Sequence, residues 1–351
     1  MKLSDFDYEL PKELIAQFPP KQRDESRLIV LGRDGGDIRE TRFSNFPRFL
    51  QEGDILVVNE TRVIPARIFG RKKSGALVEV FLVRRLASRR WVAMLRPASR
   101  LRVGEVVLIG ERDLEIAIGE RLGAGEWLVS LPGGIDENAF IRAYGHVPLP
   151  PYIKREDAPD DIERYQTIFA RRDGSVAAPT AGLHFTEEVL FEVKRRGVTV
   201  VPVTLHVGPG TFRPLANETV EDNRLEPEFV LVKKESWEEL THARRLKRRV
   251  IAVGTTTARV LESLARGPLT GQEERVIEGQ THLSGTTDLF IYPGFTFRIV
   301  DALLTNLHLP KSSLLLLVSA FSGRETILKT YLWAISRKFR FYSYGDVMFI
   351  R

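Results

Sequence analysis

The texture of the chain changes twice, and this change constrains the fold more than any other feature. Residues 55–58 (Ile-Leu-Val-Val) read as a buried strand that ends at Asn59-Glu60-Thr61-Arg62. From there to residue 131 the chain breaks into short strand-like runs: Ala76–Val83, Trp91–Leu95, Val106–Ile109, Leu114–Ile118 and Glu126–Leu131. The turn signals Lys73-Ser74-Gly75, Gly123-Ala124-Gly125 and Pro132-Gly133-Gly134 separate them. Many short strands at regular spacing predict a small barrel or sandwich. The proline-rich Val147-Pro148-Leu149-Pro150-Pro151-Tyr152 stiffens the exit, because proline cannot continue a sheet ladder. Beyond Tyr165 strands alternate with helices, including a helix around Glu235–Arg249, a strand Val250–Val253 and a helix Ala258–Arg266. The expectation is an all-β unit inserted into an α/β domain. At 351 residues the chain is long enough for each unit to bury its own core.

Charge follows the same division. Twelve Lys/Arg and one acid, Glu79, lie between Arg62 and Arg102, so that segment carries +11 and the other 310 residues −5. A local charge of this size suits a phosphate backbone. It also suits a solvated β surface made positive against edge pairing. The cluster Arg244, Arg245, Lys247, Arg248 and Arg249 closes a helix and reads as dipole compensation. Cysteine is absent, which excludes disulfides, thiolate nucleophiles and cysteine-held zinc or iron–sulfur clusters, and fits a reducing cytoplasm. The longest apolar run, Leu314–Val318, is far short of a membrane span, and Met1–Tyr8 carries Asp5 and Asp7 with no apolar leader core. A cytoplasmic protein without membrane contact is expected.

The candidate chemistry concentrates between Ser175 and Pro214. One loop, S-V-A-A-P-T-A-G-L-H-F-T, ends on His184, Phe185 and Thr186; the other, T-L-H-V-G-P-G-T-F-R-P, carries His206, Gly208, Gly210, Thr211 and Arg213. A helix Glu187–Arg196, capped by Thr186 and stopped by Gly197, and a strand Val198–Val207 join them. Histidines move protons near neutral pH, and small residues let a ligand touch backbone. Val253-Gly254-Thr255-Thr256-Thr257 is the best anion or carboxylate site, a glycine and hydroxyls at a helix start, unless the threonines merely cap it. It is neither a Walker A loop nor G-x-G-x-x-G. A third loop holds Asn306 and His308 before an apolar helix from Leu314 to Phe321, with Pro310 and the serines marking its start. Asp288 could orient a base or hold a ribose hydroxyl, or simply cap a turn. The spacing of the three histidines is not that of common zinc sites, so no metal is expected. His146, His242 and His282 lack comparable settings and read as structural or surface residues.

Together these segments closely resemble the S-adenosylmethionine:tRNA ribosyltransferase-isomerase family of queuosine synthesis. The matching stretches are Ser4–Pro11, Val63–Arg67, Pro148–Ile153, Glu163–Thr167, both histidine loops, Ala252–Thr257, Thr287–Pro293 and Thr305–Pro310. They span nearly the whole chain. One departure lies between Val220 and Phe229. There the family shows H-x-M-H-x-E, while this chain has Asn223-Arg224-Leu225-Glu226-Pro227-Glu228, matching only at Glu228.

The resemblance implies an α/β fold: a larger, barrel-like main domain (1–62 and 149–351) with a small all-β barrel (63–148) inserted in it as the tRNA contact. It implies transfer and isomerisation of the ribosyl group of S-adenosylmethionine onto 7-aminomethyl-7-deazaguanine at the tRNA wobble position. The products are epoxyqueuosine, adenine and methionine. No cofactor is implied, S-adenosylmethionine being consumed, and the family is monomeric. A sulfonium acidifies the protons on the adjacent ribose carbon, and adenine must leave as a near-anion, so a base and an acid are needed. His184 and His206 are the candidates, in unresolved order, with His308 beside them. Gly208, Gly210 and Thr211 are expected to line the ribose and Thr255, Thr256 and Thr257 to hold the methionine carboxylate. Thr180, Gly182, Phe185, Arg213, Asp288, Tyr292 and Asn306 complete the expected pocket. Arg62, Arg71, Lys72, Lys73, Arg89 and Arg96 are the expected tRNA contacts. Two other readings stay open: a methyltransferase acting on RNA, which needs a glycine-rich loop that is not evident, and a non-catalytic RNA-binding module.

Overall fold

The computed structural model describes residues 1–123 and 125–351. At its centre four parallel strands lie side by side in the order Thr199–Leu205, Ile55–Asn59, Val250–Val253 and Ala302–Asn306. Their residues are apolar in succession rather than alternating, as parallel strands covered on both faces must be. Alternate side chains enter opposite cores. Ile55, Val57, Val250, Ala252 and Leu303 pack with the helices Thr255–Leu264 and Ser313–Ser322. Leu56, Val58, Ile251, Val253 and Leu304 pack with Phe43, Phe46, Phe185 and the helix Glu187–Arg195 on the other side. Beyond Ala302–Asn306 come Val347–Ile350, Arg27–Leu31 and the edge strand Arg39–Arg42. Beyond Thr199–Leu205 come Glu228–Lys233, Gln280–Thr287 and the other edge, Thr270–Ile277. No pairing joins these two edges among the described residues, so closure belongs to the inserted sheet.

That inserted sheet runs Arg67–Arg71, Leu77–Ala87, Arg90–Arg96, Glu126–Ser130, Leu114–Gly123 and Val106–Ile109, and it closes where Arg71 pairs Leu108. The seam needs a glycine. A Cβ on Gly70 would fall 2.4 Å from Ile109 Cδ1 and 2.6 Å from Leu108 O, so a side chain would push the strands apart. The barrel is filled by inward residues such as Ile68, Val80, Leu82, Ala93, Val107, Ile116 and Trp127, lidded by Phe140 of the helix Glu137–Tyr144. The expected β runs of the insert all appear; three of them end later than expected, Val106–Ile109 keeps its bounds and the last stops one residue early, at Ser130. The turn at Gly123-Ala124-Gly125 falls partly on Ala124, outside the described residues.

The chain leaves the main sheet at Asn59 and returns to the neighbouring strand at Thr199. The two are also stitched beside the exit, where Arg172–Ser175 pairs with Thr61–Val63. The carboxyl ends of the four parallel strands therefore face the root of the barrel, the position where α/β sheets place ligands. No helix among the described residues is long and apolar enough to cross a membrane.

Candidate active site

A cleft of about 1630 Å³ opens there. Val63–Pro65, Val83–Arg85, Trp91 and Arg142 form its barrel side. His206–Thr211, Glu226–Phe229, Arg259, Phe290, Ile291 and Leu314 form its main-sheet side. Seven arginines and five carboxylates line it, which gives the wall a positive bias suited to an anionic partner.

His206 is the one candidate histidine on this wall. It follows the end of the strand Thr199–Leu205, whose last residue is gripped by Asn59. Asn59 Oδ1 accepts from Leu205 N and Thr61 N, both at 3.1 Å, while its Nδ2 donates to Leu205 O at 3.1 Å. Thr61 Oγ1 then meets His206 Nδ1 at 2.8 Å. The ring lies against Phe229, with centroids 5.3 Å apart and planes 19° apart, and across Gly174 on the opposite strand. A Cβ on Gly174, which has φ +146°, would lie 2.6 Å from Nε2; only glycine leaves the ring its seat. Burial, with the Arg172 charge as a second cause, lowers the pKa to about 4, so the imidazole is neutral at physiological pH. In the tautomer whose Nδ1–H donates to Thr61 Oγ1, Nε2 keeps its lone pair and is competent as a base.

Glu228 organises the loop that follows. Gly208 N donates to its Oε1 at 3.0 Å and Thr211 Oγ1 to the same oxygen at 3.2 Å. Its Oε2 takes the Arg259 guanidinium. Gly208, Gly210 and Thr211 thus lie on the cleft, held by Glu228, the one residue matching the H-x-M-H-x-E pattern, to which the sequence reading gives no role. Residue-by-residue inspection cannot find this hub, since its partners are brought together by the fold from separate elements. Where the chain departs from H-x-M-H-x-E, Asn223 is buried and ties its own loop through Asn217 and Thr219, and Glu226 pairs with Arg213. Arg213 is not itself on the cleft but pairs with Glu226, which is; its Nη2 also reaches Met94 Sδ of the barrel at 3.7 Å.

Other candidate residues stand elsewhere. His184 is 2 % exposed, with Nδ1 at 2.8 Å from Ser26 Oγ and Nε2 at 3.3 Å from Asn306 Nδ2, and it is not on the cleft. Asn306 in turn accepts from Thr180 Oγ1 at 2.7 Å, so Thr180, Asn306 and His184 form one interior chain. His308 is buried against Thr305 Oγ1 at 2.6 Å. Burial depresses both rings to about 3. Both rings lie hydrogen-bonded in the packed interior, where the charged form is costly. Phe185 is fully buried among Phe43, Phe46 and Phe169, and Gly182 is small because a Cβ would sit 2.9 Å from Thr167 Cγ2. Thr255, Thr256 and Thr257 are also buried and off the cleft. The hydroxyl of Thr257 donates to Val253 O at 2.7 Å, and that of Thr256 accepts from Asn59 at 3.4 Å. The helix begins at Thr255, three residues before the expected Ala258, which draws the threonines inside. Asp288 is exposed, and Tyr292 packs beside Phe290.

Among the expected tRNA contacts only Arg62 lines the cleft, bonded to Ala170 O at 2.8 Å. Arg71 pairs with Asp113 at 2.7 Å and Lys72 with Glu105 at 3.0 Å on the outer barrel, where Lys73 and Arg96 are exposed. Arg89 adopts φ 59° and donates to Ile135 O and, through its backbone, to Glu137. Arg84, Arg85 and Arg142, absent from that expectation, are on the cleft. No group of three or more His, Asp or Glu side chains that could hold a metal ion occurs among the described residues.

The comparison with known proteins agrees with this architecture. The family described as queuosine biosynthesis protein matches residues 3–350. An S-adenosylmethionine:tRNA ribosyltransferase-isomerase of Geobacter metallireducens is 48 % identical over 352 residues, covering all of both chains. Those of Carboxydothermus hydrogenoformans and Aquifex aeolicus are 48 % and 46 % identical, again over the full length of both chains. The crystal structure of an S-adenosylmethionine tRNA ribosyltransferase from Thermotoga maritima superposes with a TM-score of 0.55 at 36 % identity, covering 99 % of this chain and 100 % of that one. With a whole-length family match and relatives near half identity, the chain belongs to the queuosine biosynthesis protein family.

Proposed function

We propose that the chain transfers and isomerises the ribosyl group of S-adenosylmethionine onto 7-aminomethyl-7-deazaguanine at the wobble position of tRNA. Epoxyqueuosine forms, and adenine and methionine are released. S-adenosylmethionine is consumed as a co-substrate, no cofactor takes part, and the protein acts as a monomer. The observation that carries the reading is a neutral histidine, His206, on the wall of an arginine-lined cleft between sheet and barrel. Residues 1–62 and 149–351 supply the S-adenosylmethionine pocket, and residues 63–148 supply the tRNA surface.

His206 Nε2 takes a proton from the ribose carbon beside the sulfonium, where positive sulfur has made that proton acidic. The imidazolium so formed is a donor in the same cleft for the adenine nitrogen that departs with negative charge. Thr61 and Asn59 hold the ring in orientation; Gly208, Gly210 and Thr211 border the ribose. His184 and His308 keep the framework rigid. Arg62, with Arg84 and Arg142, meets the anticodon backbone at the cleft, and the outer cations Arg71, Lys72, Lys73, Arg89 and Arg96 extend that surface. Incubation with S-adenosylmethionine and precursor tRNA, read by mass spectrometry, tests the proposal. Adenine and methionine are the expected products. S-adenosylhomocysteine would mean methyl transfer, and no product would mean an RNA-binding module.

A further inference from the structure

The cleft holds a pair of opposite charges whose unused hydrogen-bonding capacity is complementary. Arg259 is 6 % exposed and lines the wall. Its Nε donates to Leu289 O at 2.9 Å and its Nη1 to Glu228 Oε2. Its Nη2 has no partner among the described residues and is shut off from bulk water. A buried guanidinium nitrogen without an acceptor costs free energy, and an arriving acceptor restores it. Glu228, 7 % exposed, receives Gly208 N and Thr211 Oγ1 on one oxygen and Arg259 on the other. A carboxylate offers about four lone-pair positions, so one remains beside the arginine. One donor and one acceptor are left on adjacent groups.

We propose that Arg259 and Glu228 bind the α-ammonium carboxylate of the methionine portion of S-adenosylmethionine, the carboxylate on Arg259 Nη2 and the ammonium on Glu228 Oε2. The proposal rests on the function proposed above. A zwitterion matches this pair because it adds no net charge to it, whereas a phosphate would leave an uncompensated buried anion. The bond to Leu289 O sets Arg259 beside Phe290 and Ile291, and these line the cleft with Leu314 and Leu317, an apolar wall for the methylene chain between the amino acid and the sulfonium. Glu228 also anchors Gly208 and Thr211, in the loop that follows His206. The amino-acid end of the substrate and its reacting ribose are thereby registered by one loop. The carboxylate site lies four residues beyond Thr255, within the same helix, rather than at the buried threonines.

The test compares S-adenosylmethionine with methylthioadenosine, which keeps the nucleoside and lacks the amino acid, by calorimetric titration of the wild type, R259K and R259M. Loss of a charge-assisted bond in a buried site predicts about 10- to 100-fold weaker S-adenosylmethionine binding in both variants. Methylthioadenosine binding stays within about twofold of wild type, which also shows that the variants fold. R259K keeps a cation against Glu228 and so guards against misfolding as the cause. Unchanged S-adenosylmethionine affinity in the variants, or equal loss of both ligands, overturns the proposal. If wild type binds S-adenosylmethionine with the expected variant effects but releases no adenine with precursor tRNA, the functional reading fails and this one stands. A wild-type chain that binds no S-adenosylmethionine overturns both.

Discussion

The two histidine loops share a texture of small residues, hydroxyls and one imidazole, yet the fold uses them in opposite ways. The first seats His184 between Ser26 and Asn306 under Phe43, deep behind the main sheet. The second carries His206 past a strand end to the cleft, over a glycine and against Phe229. Composition alone does not separate a ring on the cleft from a ring in the core. What separates them is whether the opposite backbone leaves room and whether solvent-filled space adjoins the ring.

The sharpest break of this comparison is a pair of alanine variants. H206A should lower turnover about 100- to 10,000-fold, measured as adenine release, with S-adenosylmethionine binding retained. H184A should leave the turnover of folded protein nearly intact and destabilise it by about 2–4 kcal/mol in denaturant titration, because Ser26 and Asn306 lose a buried partner. The opposite pattern would exchange the two roles.

Acid titration sharpens the comparison next. All three buried rings have folded pKa values below the ordinary 6.5, at about 3 for His184 and His308 and about 4 for His206. Above pH 6.5 folded and unfolded chains bind the same protons here, so stability is unaffected. As pH falls below 6.5 the unfolded chain takes up protons that the folded one refuses, and stability drops until the folded values are reached. The loss is about 2 kcal/mol per ring at pH 5. H184A should remove one such share from the pH dependence of the unfolding midpoint. Turnover in the folded protein should hold down to about pH 5 and fail as His206 is protonated near 4.

A subtler lever is Gly174. G174A presses on Nε2 and should lower kcat about 10- to 100-fold with little change in KM for S-adenosylmethionine. Equal kinetics would show that the ring's seat is not what positions it. The smallest expected effects lie on the tRNA surface. R84E or R142E at the cleft should weaken tRNA binding and reduce its logarithmic salt slope by about one for each phosphate no longer neutralised. R71E and K72E, whose cations already pair with Asp113 and Glu105, should have smaller effects on the same plot. Identical slopes would erase the distinction between cleft and outer barrel.

Local elements were legible because their causes are local. Thr186 caps its helix by accepting from Val189 N at 3.3 Å, and that helix and the insert's strands run close to their expected bounds. The helix expected over 235–249 stops at Arg245, where the chain turns through Lys247 at φ 57°. The apolar helix expected from Leu314 begins at Ser313 and is capped by Ser312, one of the serines expected to mark its start. The site was half legible. That His206 and Gly208 would border a cavity followed from their loop; that His184 would not depends on Ser26 and Phe43, more than a hundred residues away. Arg259 was silent for the same reason, and Glu228, though it matches the family pattern, had no legible role. Each is an ordinary charged residue on a strand or helix until the fold sets them together.

The insertion between the neighbouring strands Ile55–Asn59 and Thr199–Leu205 has an entropic consequence for assembly. Two strands that pair in register must first be brought together across everything between them. The cost of closing a flexible loop rises only logarithmically, about 0.6 kcal/mol per doubling of length. A disordered barrel would therefore delay the meeting of these strands more than it would forbid it. Once the barrel has folded, the connection shrinks from a long tether to a short stem before the barrel and the segment 149–198 after it. The insert then acts as a clip that raises the effective concentration of one central strand for the other.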